Sequence, residues 1–322
     1  MTTRRRALLG ICLAATLTTP ALHAQGNWPT QAVRFVNNFP AGGPSDTLAR
    51  SVANVLQGTL KQSFVVENKP GAAGNIGAAE VAKAAPDGYT VMFGIDSTFT
   101  INPHLYANQG FKVGDMKPVI IMASSGLLIG VHPSTGLKTL PQLVEQSKTK
   151  AFNFSSAGSG SPGHLAIELF NEATKHKLNH IPYRGNTPAV TAVLAGEVDG
   201  GTLATPGMLP HVKAGKIQAL AVTSRQRSKL APDLPTVGEV GLKDLEQEVL
   251  YLVMAPAATP DAVVQTMAKA IADALHVPEV QARMASLDLF YEGLSGADAA
   301  KRLDDLRNRY GALVKATGMK VE

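Results

Sequence analysis

The chain has 322 residues, of which 45% are hydrophobic, 17% charged and 5% aromatic, with one cysteine and a formal charge of +5. That balance excludes a disordered polyampholyte, a collagen-like fibre and a small disulfide-stapled domain.

Residues 1–24 read as an export signal. Arg4-Arg5-Arg6 forms a basic start, Ala7 to Leu22 an apolar stretch, and Ala24 the small residue before the cut. Leu22 is larger than the residue usually found two places earlier, so a neighbouring cleavage position stays open. The arginine triplet fits an ordinary secretory signal and partly resembles a twin-arginine one. A lipoprotein reading of Leu9-Gly10-Ile11-Cys12 lacks the small residue wanted before the cysteine. Cleavage after Ala24 leaves 298 residues with 27 basic and 25 acidic side chains, a formal +2. The apparent basicity is therefore largely a targeting charge, and nucleic acid is not an expected partner. Cys12 leaves with the signal, which removes disulfide, thiolate and cysteine-metal chemistry. The longest later apolar stretch, Val119 to Val131, is interrupted by Ser124-Ser125-Gly126 and falls short of the roughly 20 residues that span a bilayer. A soluble periplasmic protein is expected.

About 300 residues exceed what one core usually serves, so two domains are expected. Short β-branched runs alternate with helix-like segments, the pattern of parallel α/β units. Val33 to Val36 reads as a strand, residues 46–60 as a helix, Phe64 to Glu67 as a strand, 76–84 as a helix and Thr90 to Ile95 as a strand. The pattern resumes with strand 152–155, helix 163–175, strand 180–183, helix 188–195, a short strand near Thr202, helix 207–214 and strand 217–222. Three helices follow, near 261–275, 278–287 and 296–315. Val119 to Val131 and Val249 to Ala255 read as two crossovers. A chain that leaves one domain, builds a second and returns gives a clamshell with a two-stranded hinge. Residues 25–124 with 245–322 are assigned to domain I, and 125–244 to domain II.

Four turns of small residues each follow an expected strand. Phe39 to Asp46 holds Ala41, Gly42 and Gly43 and opens a helix, with Ser45 or Asp46 as its cap; free N–H groups there favour an anion. Asp96, Ser97 and Thr98 end the third strand: the two hydroxyls can donate to a carboxylate, and Asp96 either caps a helix or pairs with a ligand ammonium. Ser155 to His164, with Ala157, Ser159 and Ser161, contains a literal G-x-G-x-x-G at Gly158, Gly160 and Gly163. Pro162 and the lack of an acidic residue some 20 positions on argue against a dinucleotide. Arg184, Gly185, Asn186 and Thr187 form the fourth turn, in which Arg184 can pair bidentately with a carboxylate. Together they suit an organic anion in one cleft. No catalytic elbow, Walker loop or metal-binding histidine pair is present, so no catalytic residue, cofactor or metal is expected. His164, beside the third turn, is the histidine placed nearest to a role.

These residues resemble the Bug family, the periplasmic receptors of tripartite tricarboxylate transporters. The likeness runs through Trp28-Pro29, Phe39 to Asp46, Val65 to Gly77, Ala85 to Thr90, Ile101-Asn102-Pro103, Ser156 to Leu165, Pro182 to Gly185, Ala219 to Ser224, Leu234 to Val237 and Ala255 to Pro260. The resemblance implies two α/β domains closing on a small carboxylate, held largely by backbone groups near Ala41, Gly42 and Gly43, with Ser97, Thr98, Gly158, Ser159 and the Gly185 turn beside it. It also implies delivery to membrane transporter subunits by a monomeric receptor. Three departures are candidates for cleft contacts and for a different ligand: Asp96 where the family has a small or hydroxyl residue, Thr202-Leu203-Ala204-Thr205 for an aromatic-acidic-Asn stretch, and Leu250 where tryptophan is frequent. The expected ligand is a small organic acid or amino acid. The alternatives are an exported dinucleotide-dependent oxidoreductase and a receptor serving a sensor.

Overall fold

The structure, a computed structural model, describes residues 28–320. The export-signal reading of 1–24 lies outside the described residues. Strand β1 (Val33–Asn37), helix α1 (Pro44–Leu60), β2 (Phe64–Asn68), α2 (Asn75–Ala82), β3 (Thr90–Ile95) and the single turn α3 (Ser97–Thr100) come first. The 16-residue strand β4 (Met116–Val131) and the short α4 (Leu140–Gln146) follow. Next come β5 (Phe152–Ser156), α5 (Pro162–Thr174), β6 (Leu178–Pro182), α6 (Asn186–Ala195), β7 (Gly200–Ala204), α7 (Thr205–Lys213) and β8 (Gln218–Val222). The chain ends with β9 (Glu248–Pro256), α8 (Asp261–Leu275), α9 (Pro278–Ser286), β10 (Phe290–Ser295) and α10 (Gly296–Thr317).

The strands form one curled sheet in the order β2-β1-β3-β9-β4-β7-β5-β6, with β10 and β8 also on β4. β1 lies parallel to β2 and β3, and β5 parallel to β6 and β7, as the alternating pattern requires. β4 and β9 depart from it: each runs antiparallel to its neighbours. The sheet is therefore mixed, with parallel units on the outside and two long returning strands between them. β4 pairs with β9 from Met116 to Gly126 and with β7 from Leu127 to Val131, so one strand serves both halves of the sheet. Gly126 marks the change, and a Cβ there would come within 2.7 Å of the Ser224 hydroxyl. Thr223 ties the same point together: its buried hydroxyl accepts from Leu127 N–H (2.8 Å) and donates to Gln247 C=O (2.7 Å).

Parallel strands covered on both faces read as nearly continuous apolar runs. Val33, Phe35 and Val36 of β1 are accordingly all fully buried. α1 buries Leu48, Ala49, Val52, Ala53 and Leu56 along one helical stripe; it begins with Pro44 and ends where Lys61 turns left-handed (φ 56°). Phe35 packs between Phe64 and Phe93 at ring distances of 5.4 and 5.7 Å, which makes it the centre of the core under α1 and α8. The helices expected in the C-terminal part appear at the expected places, but β10 occupies the gap between the last two as an antiparallel partner of β4. Phe35→Ala should cost ~3–5 kcal/mol, as large-to-small core changes do. Urea unfolding followed by circular dichroism checks it.

Candidate functional site

Loops leaving the C-terminal ends of β1, β3, β5, β6 and β7 come together, because the two outer parallel units point these ends at each other across β4 and β9. They enclose a cavity of about 70 Å³. The N-termini of α1 (Gly43, Pro44, Ser45), α5 (Ser161, Pro162, Gly163) and α6 (Asn186, Thr187) all reach it, as does the end of β7 (Thr202, Leu203, Ala204). Phe39, Pro40, Ile95, Leu127, Ala157, Val249 and Tyr251 complete the lining, and no charged side chain is among them.

The sequence expects Ser45 or Asp46 to cap α1. The capping position is instead Gly43, with Pro44 first in the helix, and no side chain caps it. Asp46 is engaged elsewhere: its carboxylate accepts from Gly42 N–H (3.0 Å), Arg50 (2.9 Å) and Asn68 (2.9 Å). Burial pushes this carboxyl up, but those hydrogen bonds outweigh it and hold it below its ordinary value. Gly185 is likewise an uncapped start for α6. Ser161 does cap α5, accepting from His164 N–H at 3.3 Å. Uncapped first turns leave backbone donors and the positive ends of two helices for something bound in the cavity.

Of the residues singled out from sequence, Gly43, Ser45, Ala157, Ser161, Asn186 and Thr187 line this cavity. Ala157 also lines an adjoining groove of about 640 Å³, together with Gly158, Ser159, Arg184 and Gly185. Phe39, Pro40 and Ala157 are the wall the two spaces share. Gly185, at φ +115°, is needed for that wall, since a Cβ there would lie 2.8 Å from Pro40 Cγ. Gly42 borders a third space of about 310 Å³, which shares Gly43, Pro44, Asn186 and Thr187 with the first, and Ala41 is exposed. Asn186 joins two loops, its Oδ1 accepting from Ala204 N–H at 2.9 Å.

Besides Ala41, four of the expected residues do not line these cavities. Asp96 is 1% exposed; its carboxylate accepts from Leu250 N–H (2.9 Å) and the Thr100 hydroxyl (3.0 Å), fastening β3 to β9. It faces no site for a ligand ammonium, and burial pushes its pKa up to about 6. Ser97 is fully buried, and Thr98 accepts from Asn38 Nδ2 (3.0 Å) and donates to Ala73 C=O (3.2 Å). His164 lies under the third turn. Its Nδ1 accepts from Gly160 N–H (3.2 Å), and its ring stacks on His180 at 3.8 Å and 11°. His180 Nε2 in turn meets the Ser156 hydroxyl at 2.6 Å, and that hydroxyl accepts from Gly158 N–H at 3.1 Å. The stack holds the turn's shape from below. Glu168 lies 3.7 Å from His164, and this neighbour keeps its carboxyl low, against burial.

Sequence reasoning missed Phe39, Pro40, Ile95, Leu127, Val249 and Tyr251 as lining residues. Strand alternation decides the last pair: Val249 and Tyr251 face the cavity, so Leu250 between them is turned into the core and is not a cleft residue. The departure at Thr202-Leu203-Ala204 does line it. The Tyr251 hydroxyl lies 3.2 Å from Ser125 Oγ, and burial pushes its phenol up to about 12. Gly163, the last glycine of the motif before α5, lets the helix pack directly on β7, since a Cβ there would fall 2.2 Å from Thr202 C=O.

A two-sided α/β cleft floored by helix N-termini is the site this fold builds. The profile described as "Tripartite tricarboxylate transporter family receptor" matches residues 48–319, and the chain belongs to that family. The periplasmic binding protein BugD superposes with a TM-score of 0.84 at 32% identity, over 92% of this chain and 100% of that one. Rpa4515 of R. palustris, solved with adipate, gives 0.85 at 29% identity over the same shares. MatC of Rhodopseudomonas palustris, with bound malate, gives 0.82 at 26%, over 89% of this chain and all of that one. These relatives are binding receptors, so the oxidoreductase alternative is set aside.

Two pH effects follow. The buried Asp96 carboxyl binds its proton more tightly folded than unfolded, so its ionisation costs stability increasingly from about pH 4 to 6. Asp96→Asn keeps the acceptor for Leu250 N–H and should raise the melting temperature at pH 8, with the gain vanishing below about pH 4. Conversely, burial, and secondarily the neighbouring His164, lower His180 to about 4, so the folded state resists a proton that the unfolded chain takes up near 6.5. Stability supplied by neutral His180 should be lost as pH falls between those values, and His180→Gln should flatten that part of a calorimetric pH series.

Proposed function

We propose that this receptor captures a small organic dicarboxylate in the periplasm and, as a monomer, delivers it to the membrane subunits of a tripartite transporter. In this reading residues 25–124 with 245–322 form one lobe and 125–244 the other. One ligand carboxylate sits in the cavity, held by backbone groups near Gly43, Ser45, Gly163, Asn186 and Thr187. The observation that carries it is the meeting of three helix N-termini on a cavity without a charged side chain.

Magnitudes are sufficient. A helix N-terminus stabilises an anion by ~0.3–1 kcal/mol, up to ~2 when partly buried. Hydrogen bonds to a charged group add about 1.5–3 kcal/mol each. Three termini with two or three such bonds reach the roughly 8 kcal/mol of a micromolar complex. A plain acid is favoured over an amino acid because Asp96, the one residue suggested for an ammonium, is spent on Leu250 and Thr100. The adipate and malate held by two structural relatives support the same class.

Purified protein lacking residues 1–24 should be stabilised by malate, adipate or a related di-acid in a thermal-shift panel, by ~2.7 kcal/mol at one hundred times the dissociation constant. Glutamate should stabilise it less than the plain di-acid of matching length. A panel in which no carboxylate raises the melting temperature would overturn the reading.

A further inference from the structure

The cavity of about 70 Å³ adjoins the groove of about 640 Å³ across the wall formed by Phe39, Pro40 and Ala157. That groove is lined by backbone, small residues and prolines, by Asn38, Ser159 and the two tyrosines Tyr106 and Tyr183, and by one ionic side chain, Arg184. Among the described residues Arg184 is the only charged side chain on either space. It is exposed, and no carboxylate lies within ion-pair distance of it among those residues.

Resting on the carboxylate reading above, we infer that Arg184 is the specificity-determining residue for the far end of the ligand. It pairs with the second carboxylate of a di-acid long enough to reach from the cavity into the groove. Position supports this. Arg184 directly precedes Gly185, the residue pressed against Pro40, so it lines the groove beside the shared wall. A guanidinium can meet a carboxylate with two parallel N–H donors, which an ammonium cannot do. The two ends of the ligand are then read differently: the inner one by helix N-termini that exclude competing side chains, the outer one by a single cation that discriminates di-acids from mono-acids. The third space, bordered by Gly42, Thr191 and His211, offers no arginine or lysine to a second carboxylate.

The experiment is isothermal titration of the protein lacking residues 1–24, and of its Arg184→Gln and Arg184→Lys variants, with adipate and with hexanoate. Hexanoate has the same carbon chain and one carboxylate. The unsubstituted protein should bind adipate at least tenfold more tightly than hexanoate. Arg184→Gln should weaken adipate tenfold or more and leave hexanoate within twofold, and Arg184→Lys should recover part of the loss. Equal weakening of both acids, or an unchanged ratio in Arg184→Gln, would overturn the role of Arg184 while leaving the inner carboxylate site standing. Binding of neither acid by the unsubstituted protein would overturn both.

Discussion

The pairing of β4 with β9 is the constraint on which the rest of the molecule depends. Each is a returning strand laid antiparallel between parallel units, and β4 is shared by both halves of the sheet. Because hydrogen-bond register fixes which strand ends coincide, this pairing sets the loops after β1 and β3 opposite those after β5, β6 and β7. The supporting bonds are buried and specific. Asp96 fastens Leu250, one residue from the cavity-lining Tyr251, and Thr223 bridges Leu127 and Gln247. An ionised carboxylate in such a place is expensive unless its oxygens are satisfied. Here both are satisfied, and the remaining cost appears as a raised pKa.

On the proposed carboxylate reading, the cavity holds its ligand with dipoles. A lysine or arginine inside a space of this size would fill it and need desolvation. Uncapped helix starts supply donors from atoms the chain must place there in any case. Gly43 and Gly185 at the capping positions keep side chains out of the way, and Pro44 fits a first helical position whose N–H would have no partner within the helix. The stacked His164 and His180, invisible from the cavity, fix the conformation of the turn between β5 and α5. This separates binding from the net charge of the chain. Three of the five net formal positive charges are the arginines at positions 4–6.

Legibility in the sequence followed the range of the interaction. The 2- and 3.6-residue periods, the glycine and proline turns and the alternation of elements depend on neighbours within a few positions, so β1 to β3, α5, α8 and the order of the four turns could be read directly. β10 could not: its sequence, Phe-Tyr-Glu-Gly-Leu-Ser, alternates weakly, and it is a strand because β4 offers it a partner. Asp96 was legible as a helix cap or a ligand partner but not as the tie between β3 and β9, since its partner Leu250 lies 154 residues away. Leu250 itself was assigned to the cleft for want of the strand phase that turns Val249 and Tyr251 toward the cavity in its place.

The sequence by itself determined the α/β class, the family, the position of each small-residue turn and the absence of thiol chemistry after Cys12. These are properties of composition and local spacing. Tertiary structure alone decided which turns meet, which face of β9 lines the cavity, that Asp46 and Asp96 are spent on the protein's own hydrogen bonds, and that Arg184 has no ion-pair partner among the described residues. Those outcomes rest on register and on desolvation between segments far apart in the chain, where a charge or hydroxyl becomes structural or available according to what packs against it.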